Sequence, residues 1–307
     1  MLEFKNMTSF KAFGKFLITG EYLVLNGARA LALPLTKKYQ TLDLFEGCEN
    51  KISWTAFDHE NLIWFKCNFD SITMDLLEAS SFSQASKLEL ILKYIKKIKP
   101  DAFNGIRAFE THMNFSPAWG MGSSSTLISL LSQWSNLDAN HLQKIFFKGS
   151  GYDVACATSL FPILYQLENG LPVVECVKWS PKFKDQLYFV YLGKKQNSSN
   201  EIEKFRNTSI SGIEADLIRI NQITKDLLES CSFEIFQNLL KEHETIISKY
   251  SGMKPIKSLL FPDIDGEVKS LGAWGGDFIL AACKTDPREY FNKKGYLTVF
   301  DWDDLID

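Results

Sequence analysis

The sequence predicts an α+β fold. Strand-like and helix-like stretches follow one another irregularly, without the steady βα rhythm of a doubly wound sheet. The first third is rich in β-branched and aromatic runs, and later segments carry apolar residues at helical spacing. At 307 residues the chain exceeds what one compact core usually accommodates, so one large or two closely packed domains are expected.

The elements follow in order. SFKAFGKFLITGEYLVL and ARALALPLTKKYQTLDLF read as strands broken at Gly14, Gly20, Gly27 and Pro34. KISWTAF and NLIWFKCNF form a hairpin around the polar DHE. Leu88, Ile91, Leu92, Ile95 and Ile98 then mark a helix from about Ala85 to Ile98, with Lys93, Lys96 and Lys97 on its solvated face. GIRAFETHMNF is a strand. From Ser124 onward, Leu127, Ile128, Leu130, Leu131 and Trp134 trace another helical stripe. HLQKIFF opens as a short helix, LPVVECVKW and DQLYFVYLGKK read as strands, and Asn197–Asn200 is a polar loop. Two longer helices carry Leu217, Ile220, Ile223, Leu227 and Leu228, then Phe233, Phe236, Leu239, Leu240, His243 and Ile247. GAWGGDFILAAC and GYLTVFDW close the chain as strands after their glycines.

Composition narrows the function. Hydrophobic residues make up 45% and charged residues 23%, which supplies a sizeable core. The formal net charge is -3 and no long basic block occurs, so a nucleic-acid partner has no electrostatic support. There is no secretion signature and no apolar run long enough to span a bilayer, so a cytoplasmic protein without a membrane partner is expected, as monomer or homodimer. The six cysteines lie far apart with no CxxC and read as reduced, mostly buried thiols. The four histidines are scattered, which suits surface or packed imidazoles better than ligands.

Three glycine-containing segments carry the chemistry. SPAWGMGSSSTLISLL places Gly120, Gly122, Ser123, Ser124 and Ser125 directly before a helix. A helix N-terminus exposes unpaired N–H groups and a partial positive charge, and small residues let an anion approach them. A phosphate cradle and an ordinary serine N-cap both fit this stretch. It is neither a Walker A motif nor a dinucleotide fingerprint. AFGKFLITGEYLVL places Lys15 after a glycine, with Glu21 further on, and KSLGAWGGDFILA offers small residues before a strand.

In this order and at these separations the three segments resemble the signature motifs of the GHMP small-molecule kinases, across nearly the whole chain. A fourth segment, GSGYDVACA, resembles the one that supplies the catalytic aspartate in mevalonate and phosphomevalonate kinases. Its spelling, with that of KSLGAWGGD, is most similar to the phosphomevalonate branch. The resemblance implies a two-lobed fold: a ribosomal protein S5 domain 2-like N-terminal lobe, 1–168, for ATP binding and catalysis, and a ferredoxin-like C-terminal lobe, 169–307, contributing the third motif. It implies ATP and Mg²⁺ as cofactors and a small acidic metabolite as substrate. Phosphomevalonate is the first expectation for the acceptor and mevalonate the alternative; a catalytically silent binding protein on the same fold is the rival from another class.

By the same resemblance Asp153 orients or deprotonates the acceptor, and Lys15 pairs with it and stabilises the transferring phosphoryl group. Gly120, Gly122, Ser123, Ser124 and Ser125 hold ATP phosphates, and Ser124 is a Mg²⁺ ligand. Lys269, Gly272, Ala273, Gly275, Gly276 and Asp277 face the substrate. Read from the residues alone, Asp153 could equally cap a helix through Val154–Leu160, Lys15 and Lys269 could be surface lysines, and Asp277 a turn residue. Glu21 is a poor candidate for the acidic metal ligand. Trp64 and Phe65 suit packing better than adenine contact. The chain departs from the pattern at Phe13, at Leu271, at Trp274 in place of a glycine, and at TSLFP after the aspartate segment.

Overall fold

The structure is a computed structural model that describes residues 6–46, 50–147, 149–194, 205, 212–272, 274 and 277–307. It is mixed α and β, and the chain divides into two compact units that interleave along the sequence. One comprises Met1–Gly14, Lys38–Pro117 and Gly122–Phe147; the other comprises Lys15–Lys37, Ala118–Met121 and Lys148–Asp307. Neither ends at residue 168. Strands β1 (Asn6–Leu17) and β2 (Ala30–Glu46) contribute residues to both.

In the first unit the sheet order is β5 (Leu76–Ala79), β4 (Ile63–Asp70), β3 (Lys51–Phe57), β6 (Ile106–Met113), then the second half of β2. Only β3 and β6 run parallel in this series. The expected hairpin is present, and Asp58 explains its turn. One carboxylate oxygen accepts the N–H groups of Glu60 and Leu62 at 2.9 and 3.0 Å. Helix α1 (Phe82–Ile98) buries Leu88, Ile91, Leu92 and Ile95, while Ile98 is exposed. Its lysines do more than meet solvent. Lys93 pairs with Asp75 at 2.6 Å and Glu89 at 2.7 Å, and Lys96 donates to the Ser71 carbonyl. Helix α2 (Ser123–Ser135) is fixed by Trp134, whose ring meets Phe103 and Phe109 edge-on at 4.9 Å; Phe109 in turn stacks on Trp54. Helix α3 (Ala139–Phe146) starts at Asp138, which caps the His141 N–H.

In the second unit the first half of β2 pairs with β7 (Ile163–Glu168), which pairs with β8 (Leu171–Cys176). A second sheet, wholly antiparallel, has the order β10 (Glu267–Leu271), β11 (Phe278–Ala282), β9 (Leu187–Tyr191), β12 (Val299–Asp301). Helix α4 (Tyr152–Ala157) precedes β7. Helices α5 (Ile213–Glu229) and α6 (Phe233–Ser251) match the two expected amphipathic helices, and α6 packs on β10. Short helices α7 (Ile256–Leu260) and α8 (Arg288–Lys293) follow.

Some expectations are corrected. Gly14 and Pro34 do not break their strands. Pro34 lies between the β2 residues that pair with β7 and those that pair with β6, so neither of those two ladders asks it for an N–H; β2 also pairs with β1. EYLVL is not strand; Leu23–Asn26 is a 3₁₀ turn closed by Gly27. Strands β7 and β10 have no counterpart in the sequence reading, and GYLTVFDW yields only three strand residues. The Asn197–Asn200 loop lies outside the described residues, as do Ala273, Gly275 and Gly276. Phe65 is core and Trp64 is half-buried. Among the described cysteines, Cys67, Cys156 and Cys283 are buried and Cys176 and Cys231 are exposed. No helix among the described residues is long and apolar enough to cross a membrane.

Candidate active site

The second unit gathers four ionisable side chains from three distant segments. Lys15 lies near the end of β1, and its N–H donates to the Met121 carbonyl at 2.9 Å, which holds the strand against the Gly120–Met121 step. Tyr152 and Asp153 occupy the first turn of α4, entered through Gly151 in the left-handed region. Asp277 closes the third glycine-rich segment just before β11. Its N–H donates to Lys194 and its carbonyl accepts from Leu192.

The electrostatics tie these groups together. Burial works against the Lys15 ammonium, yet Tyr152, Asp153 and Asp277 outweigh it and hold its pKa above the ordinary lysine value. Burial pushes Asp153 above the usual aspartate range; the Lys15 charge and the N–H groups of Val154 and Asp153 pull it partly back. Tyr152 is pushed up to about 12, chiefly by burial, so its phenol stays protonated. Its ring lies under the Lys15 ammonium, 5.6 Å from centroid to nitrogen. Asp153 therefore does two things: it accepts N–H groups in the first helical turn, as a cap does, and it faces a lysine. The helix it opens is Tyr152–Ala157, shorter than expected.

Gly120 has a steric reason to be glycine. Its φ is +69°, and a Cβ there would run into the Asp277 carboxylate. Replacing Gly120 with alanine is expected to cost about 1–2 kcal/mol for the left-handed backbone alone, with the Asp277 collision added. A urea titration of Gly120→Ala beside the parent measures this, and unchanged stability would remove the steric argument.

In the first unit, the hydrogen bonds at the start of α2 rule out the serine N-cap. The N-cap residue is Gly122, and no side chain among the described residues caps the helix. The Ser125 hydroxyl instead donates to the Gly122 carbonyl at 2.8 Å, and Thr126 bonds Gln40. The amides of the first turn thus have no serine on them, the condition an anion site needs. Ser124 is exposed and suits an oxygen ligand for a hard cation. No group of three or more His, Cys, Asp or Glu among the described residues could hold a metal on its own.

Lys269 is neither a surface lysine nor open to a substrate phosphate. It is fully buried in β10, where its ammonium pairs with Glu21 and donates to the Ser270 carbonyl at 2.7 Å. This also removes Glu21 from metal binding. Trp274 is a packing residue at 1% exposure, and its backbone N–H donates to the Tyr22 hydroxyl at 3.2 Å. Gly272 has φ +76° and open space beside it. Sequence reasoning missed Tyr152; the signal was a hydroxyl-bearing ring immediately before the aspartate.

No family model matches the chain, and no curated protein matches it. Among solved structures it is similar to Streptococcus pneumoniae phosphomevalonate kinase in complex with phosphomevalonate and AMPPNP, at 16% identity and TM-score 0.66, covering 96% of this chain and 100% of that one. It is similar to Methanococcus jannaschii mevalonate kinase at 17% identity and TM-score 0.67, covering 97% and 98%. Lactococcus lactis galactokinase complexed with galactose matches at 13% identity and TM-score 0.66, covering 95% and 92%. Likeness at such identities is likeness of fold. The chain has the two-lobed fold of the GHMP kinases.

Proposed function

We propose that this protein is an ATP- and Mg²⁺-dependent kinase of a small acidic metabolite. The observation that carries the reading is the convergence of Lys15, Tyr152, Asp153 and Asp277 on one site. Phosphoryl transfer asks for positioning and charge stabilisation more than covalent chemistry. Asp153 would orient the acceptor oxygen and, where that oxygen is a hydroxyl, take its proton; its raised pKa suits a base. Lys15 would balance charge on the transferring phosphoryl group. The uncapped amides of α2 would receive nucleotide phosphates, with Ser124 offering a hydroxyl to Mg²⁺. Bound Mg²⁺ supplies neutralisation of phosphate charge.

The spelling of GSGYDVA supports phosphomevalonate as the acceptor to test first. The burial of Lys269 against Glu21 favours mevalonate as the second reading, because it withdraws a cation that a phosphorylated acceptor could use. ADP release with MgATP and, in parallel, mevalonate, phosphomevalonate and homoserine tests both, with Asp153→Ala as control. Turnover of one acceptor selects it. ATP binding with no turnover of any acceptor points to the silent binder.

Tyr152→Phe keeps the ring and removes the hydroxyl. The Tyr152 hydroxyl accepts a hydrogen bond from the Lys15 ammonium and so helps hold its pKa up; removing that acceptor lets the pKa fall. A protonated Lys15 is required, so activity is expected to fade at a lower pH on the basic side. An unmoved basic limb in the kcat profile would assign Tyr152 to packing alone.

A further inference from the structure

Beyond the four-residue site lies a second polar cluster that phosphoryl transfer does not use. Glu21, His243, Glu244 and Lys269 are each at most 1% exposed, so four titratable side chains sit together out of water. Charged groups are rarely buried so fully unless partners satisfy them. Here the partners are one another and the backbone of two chain segments, with Glu21 Oε2 and His243 Nδ1 left without a hydrogen-bond partner among the described residues.

The bonds have a pattern. His243, on α6, accepts the Gly20 N–H at Nε2, 3.0 Å away, which assigns its proton to Nδ1 and leaves the ring neutral. The same nitrogen is 3.2 Å from the Glu21 carboxylate, a contact between two acceptors that makes no hydrogen bond while the His243 proton sits on Nδ1. Glu21 pairs with Lys269 on β10. Glu244, the next residue of α6, accepts the Ser270 N–H at 2.8 Å and the Ile256 N–H at 3.1 Å. The Tyr22 hydroxyl accepts the Trp274 N–H. Every one of these bonds except that to Ile256 fastens Gly20–Tyr22 or Lys269–Trp274.

Those two stretches are the stems of the arms that carry the site. Lys15 lies shortly before Gly20 on the first arm, and Asp277 shortly after Trp274 on the second. The arms meet again at the site, where Asp277 acts on the Lys15 charge. Each arm is built on glycines, which leave the backbone many alternatives. Gly20 shows how closely the first arm is held. Its φ is +87°, and a Cβ there would approach the Ala30 Cβ to 2.8 Å.

We propose that the buried Glu21–Lys269 pair, anchored by His243 and Glu244, fixes the relative placement of the Lys15 and Asp277 arms. Glu21, Lys269 and His243 are then positioning residues that act through Lys15 and Asp277 without touching substrate. This rests on the kinase reading only for its activity readout. A buried ion pair is a poor source of net stability, because desolvation offsets the attraction, while geometry in a catalytic site is worth a great deal.

The test separates those two quantities. Glu21→Gln combined with Lys269→Met removes both charges at nearly constant volume, a change that buried pairs tolerate far better than loss of one partner. The double variant is expected to melt close to the parent and to lose about 10²-fold in kcat, with KM for MgATP unchanged. Amide hydrogen exchange is expected to quicken at 12–17 and 278–282. A companion pair isolates the histidine without disturbing the charges. His243→Gln keeps an acceptor for the Gly20 N–H and should stay near the parent. His243→Leu removes that acceptor and should reproduce the double variant. Parent-like kcat and exchange in the double variant would overturn the proposal, as would identical behaviour of the two histidine variants. The histidine pair decides alone if the double variant does not fold. Should the parent itself transfer phosphate to no acceptor, the kinase reading fails separately, and the exchange data still judge the network.

Discussion

Asp153→Asn is expected to lower kcat on a hydroxyl acceptor by about 10²–10⁴-fold, the range over which positioned acid–base groups act. Asparagine keeps the shape of the side chain and one acceptor for the N–H groups in the first turn of α4, so the fold has little reason to respond. What is lost is the anion beside Lys15 and the capacity to take a proton. The acceptor sets the size of the effect. A hydroxyl must lose its proton as it attacks, whereas a phosphate oxygen is already ionised near neutral pH. The same substitution should therefore cost much less with phosphomevalonate than with mevalonate. The pH profile gives an independent check. Burial raises the Asp153 pKa, so kcat should fall on the acid side at a pH above the usual aspartate range. Lys15 is held above its ordinary value, so the protonated lysine should persist well into basic solution. A variant that retains parental turnover with every acceptor would remove Asp153 from the chemistry.

The candidate site residues were legible because they sit in short local patterns. Lys15 follows a glycine, Asp153 follows Gly-Ser-Gly-Tyr, and Asp277 follows Gly-Gly. The amphipathic helices were legible for the same reason: Leu88, Ile91, Leu92 and Ile95 lie on one face whatever the rest of the chain does. Strand β10 was not, because its five residues EVKSL are all buried and two of them carry charge. Nothing local says that Lys269 is satisfied. Its partner Glu21 is 248 residues away, and only the assembled fold brings them together. The sequence left Lys269 between a substrate contact and a surface lysine, and its full burial against Glu21 fits neither, for a reason sequence separation conceals.

Serine-rich helix starts show the opposite limit. Ser123, Ser124 and Ser125 satisfy the composition of an N-cap and of an anion cradle equally well. The distinction depends on where one hydroxyl points. Ser125 donates to the Gly122 carbonyl, and the amides of the first turn stay uncapped. Gly120 and Tyr152 are intermediate cases. Gly120 was singled out from the sequence and Tyr152 was not, yet each has a neighbour in space that the sequence does not reveal: the Asp277 carboxylate for Gly120 and the Lys15 ammonium for Tyr152.

The buried carboxyls predict a stability that falls as the solution becomes more basic. Burial raises Glu244 from 4.5 to about 7 and Glu21 from 4.5 to about 6, against the opposing pull of Lys269. Between the unfolded and folded values the native state keeps protons that the unfolded chain has released. The stabilisation is therefore complete below about 4.5 and is lost as pH rises through the folded pKa. For Glu244 the span corresponds to a change on the order of 3 kcal/mol. His243 acts in the other direction. Burial and the Lys269 charge hold it neutral, so below its ordinary value the unfolded chain gains a proton that the native state refuses. Below about 6.5 the histidine offsets one of the two carboxyl contributions, and above it the Glu244 loss continues unopposed to about pH 8. Urea unfolding across that window should show the parent midpoint dropping as pH rises. Glu244→Gln should flatten the slope, even though the amide cannot accept both the Ser270 and Ile256 N–H groups and so lowers stability at every pH. Equal slopes for the two proteins would mean that Glu244 is ionised in the native state throughout, with Lys269 compensating its charge in full.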